Sequence, residues 1–76
     1  MSALREKRKE AGLTLKGLGD LVKVSKQYLS AIELGNDTAS QFLAETIAKE
    51  LHVDVSELFD KERDDEARRI RYRVKK

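Results

Sequence analysis

No cysteine and no proline occur among the 76 residues. Without cysteine there is no disulfide framework, no thiolate zinc site and no thiol nucleophile. The one histidine, His52, has no second histidine or cysteine near it, so no metal-ligand set gathers there. Apolar runs stop at two or three residues, which excludes a transmembrane helix and the apolar stretch of a signal peptide. No glycine-rich phosphate loop and no nucleophile–base pair is present, and the carboxylates Asp64 and Asp65 sit in a charged stretch. Catalysis, a cofactor, a metal and a membrane are therefore not expected. A soluble, cytoplasmic, one-domain protein is.

What the chain has in excess is charge. Charged residues make up 39% and hydrophobic ones 39%, against roughly 25% and 45–50% in an average protein. A chain this short buries only about 60% of its unfolded surface, so the core must be small. The 16 Lys+Arg and 14 Asp+Glu leave a net charge of +2, and that excess is unevenly spread. Residues 1–60 balance at −2, whereas residues 61–76 carry eight basic and four acidic side chains. We therefore divide the chain into a domain over 1–60 and a charged C-terminal tail over 61–76. The tail is expected to be disordered, to support a dimer, or to serve as a phosphate-binding arm. Ile70, Tyr72 and Val74 alternate with Arg71, Arg73 and Lys75 as in a strand, while Ala67, Ile70 and Val74 would share a helical face. A lone strand is not stable, so a strand here needs a partner edge, most simply the tail of a second subunit.

The first sixty residues read as five short helices. Ser2 opens the first, which carries Leu4, Arg8 and Ala11 before Gly12 stops it. Thr14 is the natural N-cap of the second, with Leu18, Leu21 and Val22 at helical spacing. Ser25 opens the third and Gly35 closes it. Asn36, Asp37 and Thr38 form a polar loop, Ser40 caps the fourth helix, and Ser56, Leu58 and Phe59 fit a short fifth. The fold class expected is all-α: a compact five-helix domain followed by the basic tail.

The informative segment is TLKGLGDLVKVSKQYLSAIELG, Thr14 to Gly35. Two helices meet here through a turn around Lys23 to Ser25. At about 100° per residue, Ser25, Leu29 and Ile32 of the third helix fall on one side. Gln27, Ser30, Ala31 and Leu34 fall opposite, with Lys26 at the flank. Small, polar and basic residues at the front of a helix suit the major groove of DNA. There Gln27 can pair bidentately with adenine, Lys26 can reach guanine, and the Ala31 methyl can meet thymine. Phe42 lies about 100° from the core residue Leu43 and is a candidate exposed contact.

Together with LREKRKEAGLT before it and IAKELHVDVSELF after it, this segment resembles the lambda-repressor-like helix-turn-helix family of Xre/Cro type. The match runs without a gap from about Leu4 to Phe59. Four departures from the family's pattern stand out: Leu15 for a common glutamine, Lys23 for a turn glycine, Leu34 for an arginine, and Thr38-Ala39 for Asn-Pro. His52 likewise replaces a helix-ending glycine. The resemblance implies base reading by Ser25, Lys26, Gln27, Ser30 and Ala31. It implies phosphate contacts from Thr14, Leu15, Lys16, Lys23, Tyr28, Asn36, Thr38 and Ser40, and a structural ion pair between Arg8 and Glu33. The function implied is a nucleoid-associated transcriptional regulator, a repressor binding double-stranded DNA as a homodimer on a palindromic operator. The alternatives are an antitoxin-like or anti-regulator protein-binding module, using the tail or the Phe42 face, and a restriction-modification controller.

Overall fold

A side chain that accepts a bond from an otherwise unbonded amide opens every helix. In the computed structural model, which describes residues 2–76, the Ser2 hydroxyl accepts from Arg5 N at the start of α1 (Ala3–Glu10). Thr14 accepts from Gly17 N ahead of α2 (Leu15–Val22), and Ser25 from Tyr28 N ahead of α3 (Lys26–Leu34). Ser40 accepts from Leu43 N ahead of α4 (Gln41–Glu50). Asp54 opens the single turn α5 (Val55–Leu58) with a reciprocal capping box to Glu57. These bonds satisfy donors that helical geometry leaves without partners.

The helix ends are as uniform. α1 to α4 are each followed by a residue with left-handed backbone: Gly12 at φ +73°, Lys23 at +65°, Gly35 at +80° and His52 at +57°. After α3, Gly35 N donates to Ile32 O and Asn36 N to Ala31 O, the paired bonds of a Schellman stop. Glycine adopts this backbone freely, whereas Lys23 and His52 hold it at a cost of about 1 kcal/mol each. Between α2 and α3 a different constraint applies at Gly19. A Cβ there would lie 2.8 Å from Val24 O, so the turn can pass this close to α2 only because position 19 has no side chain.

The core gathers one stripe from each helix. Leu4, Leu18, Leu29, Ile32, Ile47 and Leu58 are fully buried, and α2 packs against both α3 and α4. Among the described residues no helix is long and apolar enough to cross a membrane.

The all-α expectation is corrected by the structure beyond α5. Phe59–Asp64 (β1) and Arg69–Val74 (β2) form an antiparallel hairpin, paired from Phe59↔Val74 to Asp64↔Arg69. Phe59, assigned from sequence to the fifth helix, has extended backbone and begins β1. The partner edge that β2 requires comes from the chain itself. The sequence does not announce it, because DKERD has no apolar alternation. Of the β1 side chains on the inward face only Phe59 reaches the core, while Lys61 and Arg63 extend past it.

β2 is fastened to the helices on its other side. Tyr72 and Ala39 exchange both backbone bonds at 2.8 Å, and Ala3 N donates to Lys75 O at 2.8 Å. Tyr72 and Val74 complete the core with Phe59, whose ring meets that of Tyr72 edge-on with centroids 6.5 Å apart. Two stability changes of opposite sign are expected. Tyr72→Ala should lower the unfolding free energy by about 3 kcal/mol through the cavity it leaves. His52→Gly should raise it by about 0.5–1 kcal/mol by relieving the left-handed strain. Urea melts with unchanged slopes would verify both.

Candidate nucleic-acid interface

α3 presents the face that its spacing dictates. Leu29 and Ile32 are buried, whereas Lys26 and Gln27 are exposed and Ser30 and Ala31 half-buried. Ser25, set by spacing beside Leu29 and Ile32, is instead the exposed N-cap, because it precedes the helix. Leu34, on the same outer face, is 62% exposed. The helix enters from the Lys23 elbow, where the left-handed backbone holds an exposed cation beside the N-terminus of α3. That N-terminus adds a positive dipole end to the charges of Lys23 and Lys26.

The residues expected at phosphates are less uniform. Thr14, Leu15 and Lys16 stand together at the start of α2, and the Lys16 ammonium is 2.9 Å from Asp20 Oδ2, which raises its pKa. Leu15 packs its side chain toward the core, so only its backbone amide could meet an anion. Asn36 is exposed, and Ser40 is engaged as a cap. Tyr28 donates its hydroxyl proton to Thr38 O at 2.8 Å, so a phosphate would have to displace that bond. Thr38 is held as well: its Oγ1 accepts from Arg71 Nε at 3.0 Å.

Arg8 and Glu33 meet in the interior. Arg8 Nε donates to Glu33 Oε2 at 2.6 Å and Nη2 to Oε1 at 3.2 Å, a two-bonded fork between α1 and α3. Nη1 donates to Leu13 O at 2.7 Å, so the same guanidinium also holds the chain leading into α2. Both side chains are more than nine-tenths buried, and among the described residues no buried side-chain polar atom lacks a partner.

Two residues that shape the site were not visible in the sequence. Arg71 donates to Thr38 O at 2.9 Å as well as to its hydroxyl, and Arg73 Nη1 donates to Gly35 O. The hairpin thus grips the loop leaving α3 at both ends. Arg73 also forks onto Glu62, and its hydrogen bonds hold the Glu62 carboxyl below the usual carboxylate range. The alternation over 70–74 would have placed Arg71 and Arg73 on one strand face. Nothing local shows that this face meets residues 35–38.

A helix-turn-helix family model matches residues 4–58, ending just where β1 begins. The chain belongs to the helix-turn-helix family. Two crystal structures of the clp gene regulator ClgR from Corynebacterium glutamicum are similar to this helix-turn-helix chain, with TM-scores of 0.68 and 0.65. Each is 35% identical in sequence over 71% of this chain. The chain spans 57% of the length of the first and 70% of the second. No curated protein matches the sequence. Among the described residues no cluster of His, Asp or Glu side chains is placed to hold a metal.

The Arg8–Glu33 fork yields a thermodynamic prediction. Arg8→Ala and Glu33→Ala should each cost about 3–5 kcal/mol, because each leaves a buried charge without its partner. The double variant should cost much less than the two singles combined. Additive losses in denaturant melts would show that the pair is not coupled.

Proposed function

We propose that this helix-turn-helix protein is a sequence-specific DNA-binding transcriptional regulator that inserts α3 into the major groove. The observation that carries this reading is the outer face of α3, where Lys26 and Gln27 stand at the front of a helix whose opposite side is buried. Family membership and the likeness to a regulator of clp genes support it. In this reading Ser25, Lys26, Gln27, Ser30 and Ala31 meet base edges. Thr14, Lys16, Lys23, Asn36 and Ser40, with the Leu15 amide, meet phosphates on either side. Tyr28 and Thr38 act from behind, holding the loop after α3.

One helix of this size reads only a few base pairs, so useful discrimination calls for two copies. We place the protein as a homodimeric repressor on a palindromic operator, with half-sites about one helical turn, ~34 Å, apart. A second reading, a protein-binding module, draws on Phe42, which is 81% exposed on α4.

Random-site selection with the purified protein tests the first reading. An enriched two-fold motif is expected, and sedimentation of the complex should give two chains per operator. Gln27→Ala should degrade one position in each half-site and leave the melting temperature unchanged. An unaltered motif bound with unaltered affinity would remove Gln27 from base reading. Failure to enrich any sequence would favour the protein-binding module.

A further inference from the structure

Beside the outer face of α3 lies an open cavity of about 400 Å³, lined among others by Arg5, Leu15, Ser30, Leu34 and Lys76. Its floor is neutral, since Glu33 there is bonded through both oxygens to Arg8. Its walls mix the hydrocarbon of Leu15 and Leu34 with the hydroxyl-bearing side chains of Ser2 and Ser30. Its rim is cationic: neither the Arg5 nor the Lys76 side chain forms an ion pair with any described residue. The cavity therefore carries two cationic side chains that pair with no described carboxylate side chain, next to Ser30 on the reading face.

Lys76 reaches this place because β2 delivers it. The bonds Ala3 N to Lys75 O and Lys75 N to Leu58 O, at 2.8 and 2.9 Å, fix the strand's exit. Lys76 Cε then lies 3.9 Å from where a Cβ of Gly35 would stand, over the C-terminal end of α3. Arg5 approaches from the first turn of α1. Two cations from distant parts of the chain thus converge on one edge of α3.

We propose that Arg5 and Lys76 form a phosphate-binding site that takes a backbone phosphate of DNA at the outer edge of the α3 contact. The inference rests on the DNA-binding reading and adds two residues to it. A phosphate oxyanion suits the rim by charge, and its nearness to Ser30 puts it within the footprint of a duplex read by α3. The hairpin therefore contributes to binding through one positioned lysine and not as a loose basic arm.

The test uses the full chain carrying Arg5→Gln, Lys76→Gln or both, with Lys49→Gln as a control that removes one exposed charge from the last turn of α4. Affinity is measured on the selected operator and on a random duplex over a range of salt. Each site variant should weaken both duplexes alike and reduce the slope of log K against log salt by about 0.9 for every phosphate it no longer neutralises. Lys49→Gln should leave the slope unchanged, and Arg5→Lys should restore most of it. Unchanged melting temperatures exclude a folding effect, and Gln27→Ala should alter preference without altering slope. Unchanged slopes in the site variants, or an equal loss in Lys49→Gln, would overturn the site while leaving DNA binding intact. If the unaltered protein binds no duplex, both readings fall together. Replacing chloride by inorganic phosphate at equal ionic strength separates the two sources of phosphate. A phosphate-specific loss of DNA binding that Lys76→Gln abolishes is expected, because free phosphate and the backbone would compete for one site. Phosphate that binds at the cavity yet leaves DNA affinity unchanged would assign it to a free anion and overturn the backbone contact.

Discussion

The fork between Arg8 and Glu33 determines how α3 is carried. A buried charge pair is an uncertain source of stability, because desolvation offsets most of its attraction. It is a strong source of geometry. Each donor and acceptor has one good partner, so rotating α3 about its axis would strand a charge in the core. The guanidinium also holds Leu13 O, which ties the approach to α2 to the same point. Apolar contacts through Leu29 and Ile32 would tolerate small rotations of α3. The fork does not, and the direction in which Lys26 and Gln27 point depends on it.

The hairpin constrains the other end of α3. The charge that looks like a free basic arm in the sequence is largely matched within the hairpin. Arg69 pairs with Asp64, Arg73 with Glu62 and Lys75 with Asp60 across the strands. Such exposed pairs contribute little energy individually, but they cancel much of the positive field. Arg71 and Arg73 add bonds to backbone carbonyls of the loop after α3, so their role is mechanical as much as electrostatic.

How far the sequence could be read depended on the range of the interaction. Ser2, Thr14, Ser25 and Ser40 mark their helices because capping is decided within three residues. The outer face of α3 is legible for the same reason: its period is local. The positive-φ positions at Lys23 and His52 are hidden by composition, since neither residue announces a left-handed backbone; only the likeness to a family with glycine there pointed to them. β1 was unreadable because its inward face meets the core at one residue. The grip of Arg71 on Thr38 and the convergence of Arg5 with Lys76 depend on contacts between segments far apart in the chain, for which no local pattern exists.

The double backbone bond between Tyr72 and Ala39, with the bond from Ala3 to Lys75, bears on the order in which the molecule assembles. Helical domains of this size are dominated by near-neighbour contacts and reach their native state quickly. Here β2 must find two partners distant in sequence before the loop after α3 is held. The helices can form early, yet the surface that includes that loop is complete only once the last strand has docked. Geometry at one edge of α3 thus depends on contacts of long sequence range, and a chain lacking β2 would carry its helices without the bonds that hold the loop after α3.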